Sequence, residues 1–373
     1  MIYLDSAATT LQKPASVLSG MRRAISEMAS PGRGGHRPAL LAGKTVFDCR
    51  QAAAKFFEME NPEQVVFTFN ATHALNIAVK SLIKPGNRVI LSGYEHNAVT
   101  RPLAAIRDLT VDVVDAPCFL PERFLEEFES LMKKKTDAVI CTHVSNVYGY
   151  ILPMDEVAEL CRERNVPLIV DASQSAGCLP VSQKEWRAAF IAMPGHKGLY
   201  GPQGTGILLC GMDALPIMEG GTGSESVRQN MPDFLPDRLE AGTHNVPGIA
   251  GLLEGLRFVG RKGTENILRH ERALIEKVTE GLCAIPGVNV YGGRDMRCQS
   301  GVCSFDIEGM DCEEIGEKLG EKGIAVRAGL HCAPAAHKAG GTLERGTVRV
   351  SVSVFNTRQE IDRFLMCVRE LAK

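Results

Sequence analysis

Between residues 64 and 170, short apolar runs bounded by turn residues alternate with segments of helical period, and this alternation leaves few folds open to the chain. Gln64-Val65-Val66-Phe67-Thr68 reads as a strand and Thr72 to Leu82 as a helix. Arg88-Val89-Ile90-Leu91 is a strand, followed by a helix from Asn97 to Leu109 and the strand Val111-Asp112-Val113-Val114. Asp137 to Thr142 is another apolar strand. Met154 to Arg164 is helical, with Val157, Leu160 and Cys161 on one face, and Pro167-Leu168-Ile169-Val170 returns as a strand. Strands this uniformly apolar belong to parallel βαβ units, with both faces of the sheet covered. The expected class is α/β. Open sheets of that class bind ligands beyond the strand C-termini, here Thr68, Leu91, Thr142 and Val170.

At 373 residues the chain exceeds one typical core, so two domains are expected. The texture changes near residue 250. A long helix from Thr264 to Leu282 leads to strands Val288-Asn289-Val290-Tyr291 and Val302-Cys303-Ser304-Phe305. Helix Cys312 to Glu321, strand Ile324-Ala325-Val326-Arg327, strand Thr347 to Ser353 and helix Arg358 to Leu371 complete a smaller α+β unit. A boundary near Pro247-Gly248 gives a large domain at 15–248; residues 1–14 and 249–373 form the small one.

Net charge is −2, which argues against a general nucleic-acid or anionic-membrane surface. No apolar run approaches the ~20 residues that cross a bilayer. Met1 to Ser6 lacks the basic and apolar regions of a secretion signal, so a cytoplasmic location is expected. The twelve cysteines are scattered, with no Cys-x-x-Cys pair, so no metal site is expected. Most read as small buried hydrophobes.

Lys197 differs from an ordinary surface lysine by its place. The apolar run Ala189 to Met193 precedes it and Gly198-Leu199-Tyr200-Gly201-Pro202 follows. Desolvation there would lower its pKa and free the amine to attack an aldehyde. Asp171 ends an apolar strand 26 residues earlier, and Gln174 lies three residues beyond it. A Schiff-base amine, an anion for a pyridinium nitrogen and a donor for a ring oxygen are what pyridoxal phosphate requires. His96, after the strand ending at Leu91, suits ring stacking and proton relay. The backbone N–H groups of Ala71 and Thr72 and the Thr72 hydroxyl open a helix, which suits a phosphate.

These residues, in this order, resemble the class V aminotransferase family of fold-type I enzymes, and within it the group II cysteine desulfurases and selenocysteine lyases. The likeness runs nearly end to end, through Tyr3 to Ala8, Arg33 to His36, Ala71 to Asn76, Glu95-His96, His143 to Val147, Asp171 to Gln174, Gly195 to Pro202, Glu240 to Thr243 and Arg327 to Ala333. It implies pyridoxal 5′-phosphate on Lys197, in a large domain with a mostly parallel seven-stranded sheet. It further implies Asp171 at the ring nitrogen, Gln174 at the 3′-oxygen, His96 stacked on the ring and Asn146 beside cofactor and substrate. His196 and Thr72 would hold the phosphate. Thr243 would reach the cofactor of a second subunit, so a homodimer is expected. One departure stands out: relatives carry serine before Gly-His-Lys, and here Pro194 offers neither hydroxyl nor N–H.

Cys332 is the candidate nucleophile. The small residues of Ala333 to Gly341 suggest a mobile loop, and the nearby cations Arg327 and His331 would raise its thiolate fraction. Arg349 shares a strand face with Thr347 and Ser351 and is expected to clamp a substrate carboxylate, with Arg327 and Asn146 also at the substrate. The implied reaction converts L-cysteine to L-alanine and leaves a persulfide on Cys332 for a sulfur-acceptor protein. The alternatives are a lyase acting on L-selenocysteine and a class V aminotransferase, which needs no Cys332.

Overall fold

Seven strands form the main sheet, in the order Val65–Thr68, Gly206–Cys210, Phe190–Pro194, Leu168–Asp171, Ala138–Thr142, Arg88–Ser92 and Thr110–Val114. The computed structural model describes residues 1–32 and 34–373; Arg33 lies outside the described residues. Strand Gly206–Cys210 is antiparallel to both neighbours, and the other six run parallel. The sheet is therefore the mostly parallel, seven-stranded one expected. Alternate residues of one strand serve opposite layers, as a period of two requires. Ile191 and Met193 pack into one core with Leu252 and Leu256, while Phe190 and Ala192 pack into the other with Leu75 and Ala78.

The C-terminal unit is a four-stranded antiparallel sheet, ordered Arg327–Gly329, Thr347–Ser351, Val302–Ile307 and Val288–Tyr291. Helices Thr264–Cys283, Cys312–Glu321 and Arg358–Leu371 close its core through Ile275, Val278, Ile315 and Phe364. The last helix opens with a reciprocal cap between Thr357 and Glu360. Strand Ile2–Tyr3 pairs in parallel with Ile324–Ala325, and Ile2 and Leu4 sit in this same core.

Several boundaries differ from expectation. The helix from Asn97 stops at Ala104, because Pro102 lacks an N–H and crowds the preceding turn. The strand expected at 324–327 divides: Ile324–Ala325 pairs with the N-terminus, whereas Arg327–Gly329 pairs with Thr347–Ser351. Helix Pro121–Leu131 was not anticipated, although Pro at its first position and buried Phe124 and Phe128 four apart signal it. The boundary expected at 248 falls inside helix Val246–Lys262, whose Ile249, Leu252, Leu253 and Leu256 belong to the large core. We propose that the division lies at Gly263 (φ +81°), between that helix and Thr264–Cys283.

One buried ion pair ties the large unit together. Arg50 grips Glu240 with two bonds of 2.8 Å, and Phe67 N–H donates to Glu240 Oε1 at 2.6 Å. Burial pushes this carboxyl up, but Arg50 and His244 outweigh it and hold the group below its usual range. Because the folded pKa is depressed, the stabilisation is present above the unfolded carboxylate pKa and drains away as pH falls through the folded value. Glu240→Ala leaves Arg50 buried and unpaired, so a loss of about 3–5 kcal/mol is expected from the urea midpoint. An unchanged midpoint would contradict this.

Candidate active site

Five segments leaving the C-terminal edge of the main sheet meet in one cleft of about 800 Å³, mouth included. Strand Val65–Thr68 delivers Asn70, Ala71 and Thr72, and Arg88–Ser92 delivers His96. Ala138–Thr142 leads to Asn146, Leu168–Asp171 ends in Asp171 and leads to Gln174, and Phe190–Pro194 leads to His196 and Lys197. The small unit adds Arg327, His331, Cys332 and Arg349, and the N-terminal segment adds Ala7 and Ala8. Every predicted site residue except Thr243 lines this cleft. Thr243 is exposed in an adjoining groove with Phe69, His73 and Met218.

Lys197 is half-buried, and its amine is pushed down to about 8. Burial is the main cause, Arg349 and Arg327 add to it, and Asp171 opposes them. Asp171 is buried, with Oδ1 accepting from Ser173 N–H at 2.9 Å. Gln174 donates to the Ala7 carbonyl at 3.0 Å, which fastens the N-terminal segment over the cleft.

His96 is both a helix cap and a cleft residue. Its Nδ1 accepts from Ala98 N–H at 3.0 Å, so Nε2 carries the proton of the neutral ring. Burial lowers its pKa, Asp171 raises it, and Lys197 lowers it further. At the start of helix Ala71–Leu82, Asn70 caps His73 N–H, while the N–H groups of Ala71 and Thr72 have no partner among the described residues. A helix start with free donors attracts an anion. Burial, then Lys197 and Lys13, push His196 down to about 4, and its buried Nδ1 has no partner among the described residues.

The segment that carries the candidate nucleophile Cys332 differs from expectation. Residues Pro334–Ala339 form a helix rather than a mobile loop. Cys332 is exposed, yet its backbone is pinned: Asn97 N–H donates to its carbonyl at 2.8 Å, and Asn146 Nδ2 donates to the His331 carbonyl at 2.9 Å. Both His331 (φ +50°) and Cys332 (φ +56°) adopt the left-handed conformation, costly for residues with a side chain and held by those bonds. His331 is not the expected cation. Burial first, then Arg349, hold it down to about 2, so it stays neutral and bonds Thr347 Oγ1 at 3.3 Å.

Arg349 is buried, ruling out a solvated edge arginine. It already donates to Asp5 Oδ1 at 2.8 Å and to the Asn146 carbonyl at 2.9 Å, which leaves Nε without a partner among the described residues. Asp5 was missed as a site residue; a lone acid among Leu4, Ser6 and Ala7 was its only signal. Lys13 was missed too. It donates to the His196 carbonyl at 3.0 Å, and burial pushes it down to about 8.

A mostly parallel sheet, an amine-bearing cleft at its C-terminal edge and a small α+β unit against it define fold type I of the pyridoxal-phosphate enzymes. The chain belongs to the class-V aminotransferase family, whose model matches residues 2–364. It is 34% identical over 391 residues to a probable cysteine desulfurase of Mycolicibacterium paratuberculosis, with all of this chain and 56% of the relative covered. A probable cysteine desulfurase of Pyrococcus abyssi is 32% identical over 387 residues, covering all of this chain and 94% of the relative. The chain thus spans little more than half the length of its mycobacterial relative. Among solved structures, the apo cysteine desulfurase of Thermococcus onnurineus NA1 superposes with a TM-score of 0.92 at 31% identity, covering 100% of this chain and 94% of that one.

Proposed function

We propose that the chain is a pyridoxal 5′-phosphate-dependent cysteine desulfurase that moves the sulfur of L-cysteine onto Cys332 and releases L-alanine. The observation that carries this reading is one cleft joining the low-pKa amine of Lys197, the carboxylate of Asp171 and an exposed thiol at Cys332. The residues fit the cofactor. Unpartnered N–H groups at Ala71 and Thr72 and the orphaned nitrogen of His196 suit its phosphate, and Asp171 suits its ring nitrogen. Gln174 keeps one amide hydrogen for the ring hydroxyl. When bound, this cofactor supplies an electron sink for the substrate's Cα.

The chain's own groups do the rest. Lys197 Nζ takes the Cα proton and returns one, since an amine near pKa 8 suits both directions. Neutral His96 donates from Nε2 within the cleft. Arg349, with Nε still free, orients the α-carboxylate. Cys332 Sγ attacks the substrate sulfur: an S–S bond forms as the C–S bond breaks, and the electron pair stays on carbon, which takes a proton to become the methyl of alanine. Thr243, exposed in the neighbouring groove, meets the cofactor of a second subunit in a homodimer. An acceptor protein then collects the sulfur at the exposed thiol, in a cytoplasm that keeps thiols reduced.

Intact mass after exposure to L-cysteine is expected to show one added sulfur, removable by a thiol reductant. Addition only from L-selenocysteine would favour the lyase, and amino transfer to a keto acid the aminotransferase.

The pKa of Lys197 sets a pH dependence. Only the deprotonated amine captures an aldehyde, so uptake of pyridoxal phosphate by cofactor-free protein should quicken as pH rises through about 8 and then level off. A flat stopped-flow profile across that range would contradict the role. Pro194→Ser restores a hydroxyl beside the phosphate seat. It should lower the cofactor Kd about tenfold, the equivalent of ~1.5 kcal/mol for one charge-assisted hydrogen bond. An unchanged Kd in equilibrium dialysis would mean that other donors already fill that place.

A further inference from the structure

Lys197 borders two spaces. Besides the cleft, a second pocket of about 410 Å³, open mouth included, touches Lys197, Gln174 and Ala7, so these three residues line both. Among its walls are six buried polar residues, Ser6, Thr10, Ser300, Ser351, Ser353 and Glu271, beside apolar ones such as Val302 and Val352. Two of these groups lack partners. Ser300 Oγ is buried without a hydrogen bond, and the Glu271 carboxyl has neither hydrogen bond nor ion pair among the described residues. Gly301 makes room for that carboxyl, since a Cβ there would lie 2.7 Å from Glu271 Oε2.

A buried carboxyl left dry costs free energy, whereas the roughly 40 Å³ open to water here holds a few molecules that can bond such groups. Burial pushes Glu271 up to about 8, so it is mostly protonated at neutral pH and offers both a donor and an acceptor. The ionisable groups facing it are Cys178 and Tyr200, both held neutral by burial, and Lys197 across the cavity. Its neighbour Arg272 is turned to the carbonyls of Gln299 and Arg297, and His270 to that of Asn356.

We propose that this second cavity is a proton-exchange route, in which Glu271 passes protons through water and Ser300 to and from Lys197 while the cleft is filled. It rests on the reading of Lys197 as the base that takes the Cα proton. That proton enters the cavity from Nζ as another returns from the Glu271 side, so the exchange is neutral overall. Glu271 touches no reacting atom; it acts through Lys197.

The test compares the native chain with Glu271→Gln, which keeps size and hydrogen-bonding capacity but cannot titrate. With L-cysteine deuterated at Cα in ordinary water, alanine from the native holoenzyme should lose most of its label, and alanine from the variant should retain several-fold more. Equal retention would overturn the proposal. A second readout needs neither cofactor nor turnover: the native-minus-variant infrared difference of the cofactor-free protein should show a protonated carboxyl that shifts promptly in heavy water. Glu95, a second buried acid whose Oε1 accepts from Ser92 and Thr142, should contribute equally to both spectra and cancel. An absent band, or one that resists exchange, would overturn the route even if the desulfurase reading stood. Should the native chain form no alanine, that reading fails and the infrared arm alone decides the cavity.

Discussion

Replacing Cys332 by serine will cut sulfur release from L-cysteine at least about a thousandfold, the scale on which removing a nucleophile acts. The hydroxyl is nearly the size of the thiol but lacks its nucleophilicity near neutral pH. The substitution should leave the loop intact, because the bonds that fix it involve backbone carbonyls. Asn97 holds the carbonyl of Cys332, and Asn146 holds that of His331. Cofactor absorbance and oligomeric state should therefore match the native chain, while the added-sulfur mass disappears. Undiminished sulfur release from purified Cys332→Ser would remove this residue from the reaction. Retained alanine release from L-selenocysteine alone would favour the lyase, since selenide needs less nucleophilic help to leave.

On the proposed reading, Lys197→Ala removes both the covalent anchor of the cofactor and the base, and alanine formation should fall by at least about ten-thousandfold. The visible absorbance of the covalently held cofactor should vanish. A further, subtler readout follows from the electrostatics. Burial is the main cause of the lowered His96 pKa, but the Lys197 charge depresses it further. Removing that cation should move His96 upward in the cofactor-free protein, as histidine proton NMR would show. An unmoved His96 would mean that the two groups do not share one field. Activity at the native level would end the proposed role of Lys197.

The parallel strands were readable because a strand buried on both faces has to be apolar along its length, and residues 138–141 and 168–170 are, with polar Thr142 and Asp171 only at the strand ends. The cleft followed, since residues just beyond such strands share one edge. Less was legible where distant parts of the chain decide the outcome. Asp5 and Arg349 are 344 positions apart, and only the pairing of Ile2–Tyr3 with Ile324–Ala325 and the bridge from Asp5 to Ser351 bring them together. His331 reads as a cation beside a thiol, yet burial against Thr347 and His337 makes it neutral. Composition suggested a flexible segment after Cys332, but Ala336 and His337 are buried and fix a helix there. Glu271 could not be singled out from the acids around it in sequence, because its meaning comes from the cavity it faces.

Reduction of the cofactor-loaded protein with borohydride, followed by tryptic mapping, tests the central claim most directly. A stable pyridoxyl label on Lys197, and on no other lysine, is the predicted result. A label on a different lysine, or none at all, would contradict it.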